Sequence, residues 1–342
     1  MIRVLVVDDS ALMRQVLRDL VAEGPGMQVA GEASNGLAGC EQNLALKPDL
    51  IIMDIDMPIM DGVSATARIM AERPVPIFIF SSSADSPLGF QALSAGACEV
   101  LRKPEIDTLN DPAFKASFYQ KILELTAPGN QKGNFATTPR KAPGTMERSE
   151  VRAVVIGAST GGPVAVRQVL GALPADFPVG IALVQHLEDG FDEGYAKWLD
   201  EVCPLNVRLA GPDAGALQAG TVLVGPVNRH LVLRSGKPAL DDGPKVQNQK
   251  PAVDVLFRTA AETYGPDLIG VLLTGMGRDG AQGCRDILDR GGYTLVQDQA
   301  SCAIFGMPRA AIELGAASEI TPLSNIAARL VALTRRAKPG GS

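Results

Sequence analysis

Short apolar runs alternate with amphipathic stretches along the first 125 residues of the chain, at intervals of about 20 to 25 residues. Runs of this length, separated by helix-compatible segments, are typical of parallel strands joined by helical crossovers. They predict a five-stranded, doubly wound parallel sheet with helices on both faces. The predicted strands are residues 4–7, 27–30, 50–53, 77–80 and 99–101.

The same alternation returns at about residue 151 and continues to about residue 338. It predicts a second doubly wound α/β domain with a mostly parallel sheet. The runs at 221–224 and 231–233 flank a turn at 225–229, so they fit an antiparallel hairpin as well. The predicted strands are 153–156, 181–184, 221–224, 231–233, 268–273 and 294–296, and the predicted helices lie near 163–170, 191–201, 252–264, 281–290, 308–314 and 323–336.

Between the two patterns, residues 126–150 are rich in Gly, Pro, Thr, Lys and Arg and contain few apolar side chains. Such a segment cannot bury enough apolar surface to order itself, so it predicts a flexible linker. The expected organisation is a first domain at residues 1–125, a linker at 126–150 and a second domain at 151–338.

Charge and cysteine content narrow the kinds of protein that this chain can be. A net charge of −6 and a pI near 5.1 argue against nucleic acid as a partner, because nucleic-acid binders usually present a basic surface. No apolar run approaches the roughly 18 residues that span a bilayer, and Asp8 and Asp9 interrupt the N-terminal run too early for a signal peptide. The five cysteines are scattered and odd in number, which favours free thiols. We expect a soluble, cytoplasmic protein without membrane insertion.

Polar side chains stand at the carboxyl ends of the predicted strands in the first half, namely Asp8, Asp9, Asp54, Ser81 and Lys103. These ends meet at one edge of a parallel sheet. Three converging carboxylates repel one another unless a cation lies between them, and an oxygen-only set favours Mg²⁺. Asp54 would then accept a phosphoryl group whose oxygens Lys103 and Ser81 hold. Taken singly, each acid also fits a solvated strand end or a helix cap.

The full set resembles the active site of a response-regulator receiver domain, a flavodoxin-like fold. Asp8 and Asp9 match the acidic pair of that family, and Asp54 matches its phosphorylated aspartate. The resemblance implies that Ser81 is the hydroxyl switch residue and that Lys103 is the active-site lysine.

Two further points follow from the receiver resemblance. The backbone carbonyl of Asp56 would complete the Mg²⁺ shell, and a sensor histidine kinase would be the phosphodonor. The chain departs from many receivers at Val100, which stands where they carry an aromatic switch residue. The usual aromatic rotation is therefore not expected as the output mechanism.

The most informative stretch of the second half is AVVIGASTGG at residues 153–162, where a buried strand turns into a helix. Gly157-x-Ser159-x-Gly161 fits the nucleophile elbow of serine hydrolases. A glycine-rich turn from strand to helix is also an anion site, although neither G-x-G-x-x-G nor the P-loop motif is complete here. The motif alone leaves a nucleophile and a phosphate-binding or structural turn open.

A serine nucleophile needs a base within hydrogen-bond reach and an acid that orients the base. The chain has two histidines. His186 directly follows a predicted strand and shares a sheet edge with the candidate nucleophile, whereas His230 begins a strand, where a structural histidine is ordinary. For the acid, strand-end position favours Asp279 slightly over Asp298, and Asp254 is a third candidate.

Five segments of the second half share their pattern with one enzyme family: residues 157–163, 184–186, 251–257, 272–280 and 297–308. They make residues 151–335 similar to the catalytic domain of protein-glutamate methylesterases of bacterial chemosensory arrays. The resemblance implies a triad of Ser159, His186 and Asp279, with the backbone N–H of Met276 as an oxyanion donor. It implies hydrolysis of glutamate methyl esters on methyl-accepting chemotaxis receptors, deamidation of receptor glutamines, and no cofactor for the esterase chemistry.

Residues 187–192, with the sequence LEDGFD, replace a proline-containing stretch of the best-known members, and we expect their acidic side chains to disfavour an acidic substrate helix. With both resemblances in place, we expect the receiver to cover the catalytic edge until Asp54 is phosphorylated. Two other functions compete with this one. They are a catalytically inactive response regulator whose second domain binds a protein, and a nucleotide-binding output domain that uses the turn at 157–162.

Overall fold

The computed structural model describes residues 1–81, 87–103, 111–127, 150–211 and 215–334, with the side chains of Ser81 and Pro87 outside this description. The chain divides into two compact units, Met1–Gln131 and Lys132–Ser342. No helix in the described ranges combines the length and the apolar character that a membrane crossing requires. All five cysteines lie in these ranges, and all are free thiols, as expected.

The first unit contains a five-stranded sheet in the order β2-β1-β3-β4-β5, and every pair in it is parallel. The predicted doubly wound sheet is therefore confirmed. Its central strands are apolar along their length because helices pack on the sheet. The strands are β1 Ile2–Val7, β2 Met27–Ala33, β3 Leu50–Asp54, β4 Ile77–Ser81 and β5 Glu99–Arg102.

Polar side chains fix where several helices of the first unit begin. Ser10 accepts a hydrogen bond from the Met13 N–H, and Asn35 accepts one from the Ala38 N–H. Each bond satisfies a backbone donor that the first turn of a helix leaves unpaired. The helices are α1 Ala11–Glu23, α2 Gly36–Leu46, α3 Gly62–Glu72, α4 Pro87–Ser94 and α5 Pro112–Thr126.

The second unit is built on a seven-stranded sheet in the order β14-β13-β12-β6-β7-β9-β8, again parallel throughout. Its strands are β6 Ala153–Ala158, β7 Gly180–Gln185, β8 Asn206–Leu209, β9 Thr221–Val224, β12 Leu268–Leu272, β13 Tyr293–Gln297 and β14 Glu319–Thr321. The first strand of this unit, β6, lies at the centre, and all six of its residues are buried.

A separate antiparallel hairpin joins β10 His230–Arg234 to β11 Lys237–Asp241. The alternative hairpin of residues 221–224 with 231–233 is wrong, because β9 pairs in parallel with β7 and β8 instead. The turn at 225–229 thus carries the chain out of the large sheet.

Six helices of the second unit fall close to their predicted positions in the described ranges. They are α6 Gly162–Gly171, α7 Asp192–Val202, α8 Val253–Tyr264, α9 Ala281–Asp289, α10 Met307–Glu313 and α11 Leu323–Thr334. The core between the helices and the sheet is made of fully buried apolar side chains such as Val155, Leu256 and Leu272. Burial of this surface is the main source of stability for the frame that holds the strand ends.

Candidate active site

Ser159 directly follows the central strand β6 at its carboxyl end. The chain continues from β6 to β7 on one side, whereas β12 pairs with the other side of β6. In open parallel sheets, ligands bind at such a reversal of strand order, outside the carboxyl ends of the strands. The side chain of Ser159 is nearly buried, with 9% of its surface exposed.

The turn that carries Ser159 is held by backbone hydrogen bonds. The Ser159 N–H donates to the Thr274 carbonyl at 3.0 Å, and the Gly162 N–H donates to the Ser159 carbonyl at 2.7 Å. Gly161 adopts φ +75°, and a Cβ at this position would lie 2.4 Å from the Cβ of Ala303. Only glycine satisfies both conditions, so the motif serves the geometry of the turn.

His186 lies at the adjoining strand end. Ala158 and Gln185 are partners in the β6–β7 register, and the His186 N–H donates to the Ala158 carbonyl at 3.0 Å. The Gln185 Nε2 donates to the carbonyls of Ser159 at 2.8 Å and of His186 at 3.0 Å. The buried side-chain amide of Gln185 therefore links the turn that carries Ser159 to the turn that carries His186.

Asp279, which follows β12, contacts the ring of His186. Its Oδ2 lies 2.8 Å from His186 Nε2 and accepts the Val253 N–H at 2.7 Å, while its Oδ1 accepts the Asp254 N–H at 2.8 Å. Val253 and Asp254 form the first turn of α8, where a negative charge is favoured. Asp279 is 2% exposed, so the charge is buried but surrounded by donors.

The other ring nitrogen of His186, Nδ1, is buried and has no hydrogen-bond partner in the described part of the chain. Because Asp279 occupies Nε2, Nδ1 is the nitrogen left to accept a proton from a serine. The structure shows no hydrogen bond between Ser159 Oγ and the ring. In enzymes without substrate such bonds are often long and tighten only in the complex.

Two backbone donors lie on the turns around Ser159 without an acceptor among the described residues. They are the N–H groups of Thr160, next to the serine, and of Met276, which follows β12. An N–H directly after the nucleophile is a common half of an oxyanion hole.

The competing sequence candidates lie elsewhere. His230 Nε2 contacts the Pro244 carbonyl at 2.9 Å, and its Nδ1 accepts the Ala252 N–H at 3.1 Å, which makes it a structural histidine as expected. Asp298 accepts the Ser301 N–H at 3.2 Å and caps a short 3-10 turn. The structure therefore brings Asp279, and not Asp298, to His186.

A second buried carboxylate, Asp254, lies beside Asp279. Its Oδ1 accepts the Gly283 N–H at 2.7 Å, and its Oδ2 accepts a hydrogen from Gln247 Nε2 at 2.8 Å. Burial, together with the negative charge of Asp279, raises the pKa of Asp254 to about 6. Hydrogen-bond donors face both oxygens of the Asp254 carboxylate and fix its orientation.

Two acidic residues of the 187–192 stretch have internal partners. Asp192 Oδ2 accepts the Val227 N–H at 2.9 Å, and Asp189 Oδ1 accepts a hydrogen from Asn228 Nδ2 at 3.0 Å. Both bonds hold the turn at 225–229 against the segment that follows His186. The sequence suggested only an effect on substrate charge for these residues.

In the first unit, the sheet edge brings together the acids that the sequence singled out. One carboxylate oxygen from each of Asp8, Asp9 and Asp54 lies within 4.8 Å of the other two. Lys103 Nζ lies 2.7 Å from Asp54 Oδ2 and 3.0 Å from Asp8 Oδ2. Asp8 and Asp54 are buried, while Asp9 is exposed.

The electrostatics of this cluster favour a cation. Burial and the nearby charge of Asp8 raise the pKa of Asp54, against the opposing effect of Lys103. Burial would lower the pKa of Lys103, but its hydrogen bonds to Asp54 and Asp8 outweigh it, and the pKa is raised. An oxygen-only donor set with two buried carboxylates fits Mg²⁺.

The structure gives less information on two other predicted residues of this site, Ser81 and Asp56. Ser81 ends β4 beside Arg102 of β5, but its side chain lies outside the described part of the chain. Asp56 is exposed two residues after Asp54. Val100 is buried in β5 and packs near Gly89, so the departure from the aromatic switch residue is a core position here.

Sequence reasoning missed the amides that hold the turns around the candidate triad. Gln297 Oε1 accepts the Thr274 N–H at 2.7 Å, and its Nε2 donates to the Ser301 carbonyl at 2.7 Å. Gln297 ends a buried apolar strand, as Gln185 does. A glutamine as the last residue of a buried strand was the available signal, because a buried amide requires partners.

Comparison with known proteins identifies both units. A family model described as CheB methylesterase matches residues 154–330, and one described as response regulator receiver domain matches residues 4–111. The chain is 45% identical over 334 residues to protein-glutamate methylesterase/protein-glutamine glutaminase 2 of Anaeromyxobacter dehalogenans (strain 2CP-C), covering 98% of this chain and 97% of that protein. It is 42% identical over 333 residues to protein-glutamate methylesterase/protein-glutamine glutaminase 1 of Cupriavidus pinatubonensis (strain JMP 134 / LMG 1197), covering 95% and 96%.

A solved structure supports the fold of the second unit. The crystal structure of the Thermotoga maritima CheB methylesterase catalytic domain is 38% identical, with a TM-score of 0.52, and covers 54% of this chain and 100% of that chain. The resemblance found in the sequence is confirmed. The chain belongs to the CheB methylesterase family, as a member that also carries a response regulator receiver domain.

Proposed function

We propose that the second unit hydrolyses methyl esters of glutamate side chains on chemoreceptors, releasing methanol, and deamidates receptor glutamines by the same acyl transfer. The observation that carries the proposal is the 2.8 Å contact between His186 Nε2 and Asp279 Oδ2 at the strand ends next to Ser159. The names of the two relatives describe both activities. A set of reacting groups this complete argues against an inactive protein-binding module.

The reaction begins with neutral His186, which accepts the proton of Ser159 Oγ at Nδ1 as that oxygen attacks the ester carbonyl. The tetrahedral intermediate collapses when the imidazolium protonates the departing methoxide, and methanol leaves. Water then attacks the acyl-serine and gives a proton to the same nitrogen. The imidazolium passes that proton to Ser159 Oγ as the acyl–oxygen bond breaks, which frees the serine and releases the glutamate carboxyl group. Asp279 keeps the other nitrogen protonated and stabilises the ring cation.

We assign the oxyanion hole to the backbone N–H groups of Thr160 and Met276. Their donors have no competing acceptor among the described residues. A donor of this kind is typically worth about 3 kcal/mol in the barrier.

The test is methanol release from membranes that carry a methylated chemoreceptor. Ser159→Ala and His186→Ala are expected to abolish it, while Ser324→Ala, an exposed serine on α11, keeps the wild-type rate. Retained activity in either triad variant would require another nucleophile or base and would sink the proposal. Saturable binding of ATP or NAD by the full chain would instead favour the nucleotide-binding alternative.

We propose that Asp54 is the phosphoryl acceptor of the receiver and that a sensor histidine kinase is the donor. Asp8, Asp9, Asp54 and the carbonyl of Asp56 would hold Mg²⁺, which offsets charge on the transferring group when bound. Lys103 would neutralise the phosphoryl oxygens of the product. Ser81 would donate a hydrogen bond to them.

Phosphorylation is proposed to raise the activity of an esterase that the receiver otherwise restrains. In this proposal the receiver spans residues 1–125, the linker 126–150 and the esterase 151–338. Raising an active population from about 1% to 99% takes about 5.5 kcal/mol of differential stabilisation, so partial activation is expected. In the full chain, a small acyl phosphate should stimulate methanol release by the wild type and not by Asp54→Ala. If the wild type releases methanol at the same rate with and without the phosphodonor, the proposed regulation by phosphorylation is wrong.

A further inference from the structure

Two buried carboxylates of the second unit cap each other's helices. Asp279 precedes α9, yet its oxygens accept the Val253 and Asp254 N–H groups, which open α8. Asp254 belongs to α8, yet its Oδ1 accepts the Gly283 N–H of α9 at 2.7 Å. The first turn of each helix is thus satisfied by a carboxylate from the other segment.

The exchange replaces caps that the sequence does not provide locally. The residue before α8 is Ala252, and the residue before α9 is Gly280, and neither supplies a side-chain oxygen to its own helix. First-turn N–H groups that stay unpaired in a buried place are costly. Because these two helix starts are buried, each depends on the partner carboxylate.

A third residue holds Asp254 from the solvent side. Gln247 Nε2 donates to Asp254 Oδ2 at 2.8 Å from a tight turn in which Val246 and Gln249 exchange backbone hydrogen bonds of 3.1 and 2.9 Å. Gln247 itself adopts φ +50°, an uncommon value for a residue with a side chain. The turn thus places the amide where it completes the shell of Asp254.

One atom, Asp279 Oδ2, connects the two helix starts to the candidate base His186. Asp279 Oδ2 accepts the α8 N–H and contacts His186 Nε2 at once. Any displacement of the α8 start relative to α9 therefore moves the oxygen that orients the imidazole. We propose that Asp254 is a positioning residue of the esterase: by capping α9 while Asp279 caps α8, it holds the Asp279 carboxylate in the geometry that aligns His186.

This inference rests on the proposed role of His186 and Asp279, and it differs from a purely structural role in one consequence. Two carboxylates this close repel, so Asp254 is not an optimal residue for stability at neutral pH. Asp254→Asn removes the repulsion but weakens the cap, since an amide has one acceptor oxygen where the carboxylate has two. The variant should lose turnover without losing thermal stability.

The experiment uses the full chain with Asp254→Asn and, as a matched control, Asp289→Asn, which removes a carboxylate from the other end of α9. Methanol release from membranes with a methylated chemoreceptor gives kcat and KM. Asp254→Asn is expected to lower kcat by about 10- to 100-fold, as for small misplacements of reacting groups, with KM changed by less than about twofold. Asp289→Asn should match the wild type in both constants.

A second readout reports the geometry without the reaction. The chain has two histidines, so ¹⁵N-histidine labelling gives a spectrum in which the His186 Nε2–H signal can be assigned with His186→Ala. Asp254→Asn should shift or broaden that signal, and Asp289→Asn should leave it in place. Gln247→Ala, which removes one donor from Asp254, should produce a smaller change in the same direction.

A wild-type kcat and an unchanged His186 signal in Asp254→Asn would overturn the inference. So would a loss of kcat that simply follows a lower melting temperature, because that result describes a structural residue. If Asp254→Asn does not fold, Gln247→Ala decides by the same two criteria. If the histidine signal responds but the wild type releases no methanol, the proposed function fails while the positioning role stands.

Discussion

Asp279 serves three donors with two oxygens, namely the His186 ring and the N–H groups of Val253 and Asp254. An asparagine has the same shape but one acceptor oxygen, and its NH₂ group would face a donor. Asp279→Asn is therefore expected to lower kcat by about 10⁴-fold, as loss of the correct imidazole tautomer does in other triads. The measurement is methanol release under saturating substrate.

The matched control for this prediction is Asp298→Asn. Asp298 was the competing acid in the sequence, and it caps a 3-10 turn at Ser301 instead. Its variant should stay within about threefold of the wild-type kcat, since no reacting group is moved. A larger loss of kcat in Asp298→Asn than in Asp279→Asn would mean that Asp298, and not Asp279, orients the histidine.

The raised pKa of Asp254 predicts a pH dependence of stability. The folded protein holds this proton more tightly than the unfolded chain, because the pKa is about 6 against the ordinary 3.8. The contribution of Asp254 to the free energy of unfolding therefore falls as pH rises from about 4 to above 6, by at most about 3 kcal/mol.

Urea unfolding of the full chain at several pH values from about 4.5 to about 7 measures this effect. Asp254→Asn cannot titrate, so its stability should fall less across the range than that of the wild type. Parallel curves for the two proteins would mean that Asp254 ionises normally in the folded state.

At the scale of residues, the sequence predicted the candidate reacting groups but not the side chains that hold them in place. Ser159, His186 and Asp279 each follow an apolar strand, which predicted a shared sheet edge. The choice of Asp279 over Asp298 and Asp254 came from the family resemblance. The bonds made by Gln185, Gln297 and the Asp254 carboxylate depend on which helix and strand face each other. Such contacts are set by packing and leave no periodic signal in one sequence.

At the scale of helices and strands, the sequence likewise predicted some elements and missed others. Strands covered on both faces, such as β6 and β12, are continuous apolar runs and were predicted from the sequence. Three strands were missed: β8 and β14, which lie at the two edges of the seven-stranded sheet, and β11, an arm of the hairpin. Each has one buried residue among three to five, which is too few for a reliable hydrophobic pattern.

The serine turn gives a prediction at the scale of the element. Gly161→Ala meets both a left-handed backbone and the Ala303 Cβ at 2.4 Å, whereas Gly236→Ala meets a similar backbone, φ +78°, with nothing within 4 Å. Gly236→Ala should therefore cost about 1 to 2 kcal/mol in the free energy of unfolding. Gly161→Ala should cost more and also reduce kcat by at least about tenfold, because the turn that carries Ser159 must shift.

Both quantities come from one preparation of each variant, by urea unfolding and by methanol release. The comparison separates backbone strain from the close contact. Equal stability losses, with full activity in Gly161→Ala, would show that the turn accommodates a methyl group and that the glycine is not required there.

At the scale of the whole molecule, we expect the first unit to require a metal ion for phosphorylation and the second unit to hydrolyse its substrate without one. Among the described residues, the acidic group that could hold an ion is Asp8, Asp9 and Asp54 in the receiver, away from the triad in sequence and in unit. Removal of Mg²⁺ with a chelator should therefore abolish stimulation by an acyl phosphate. The rate of the unphosphorylated full chain should stay unchanged.

Asp54→Ala provides the reference rate for this experiment, since it lacks the acceptor and should ignore both the phosphodonor and the chelator. Readdition of Mg²⁺ should restore stimulation in the wild type alone. A chelator that slows Asp54→Ala as well would place a metal requirement in the esterase itself.

The order of strands in the seven-stranded sheet also bears on how the protein is made. β6 is translated first in its unit but pairs on one side with β12, with Ala153 opposite Leu268. At about 5 to 20 residues per second, a ribosome takes on the order of ten seconds to deliver that partner. Throughout this interval the nascent chain exposes an apolar strand with an open edge, the type of segment that aggregates or recruits chaperones. Slow synthesis between these two strands would thus endanger the yield of folded enzyme more than slow synthesis after β12.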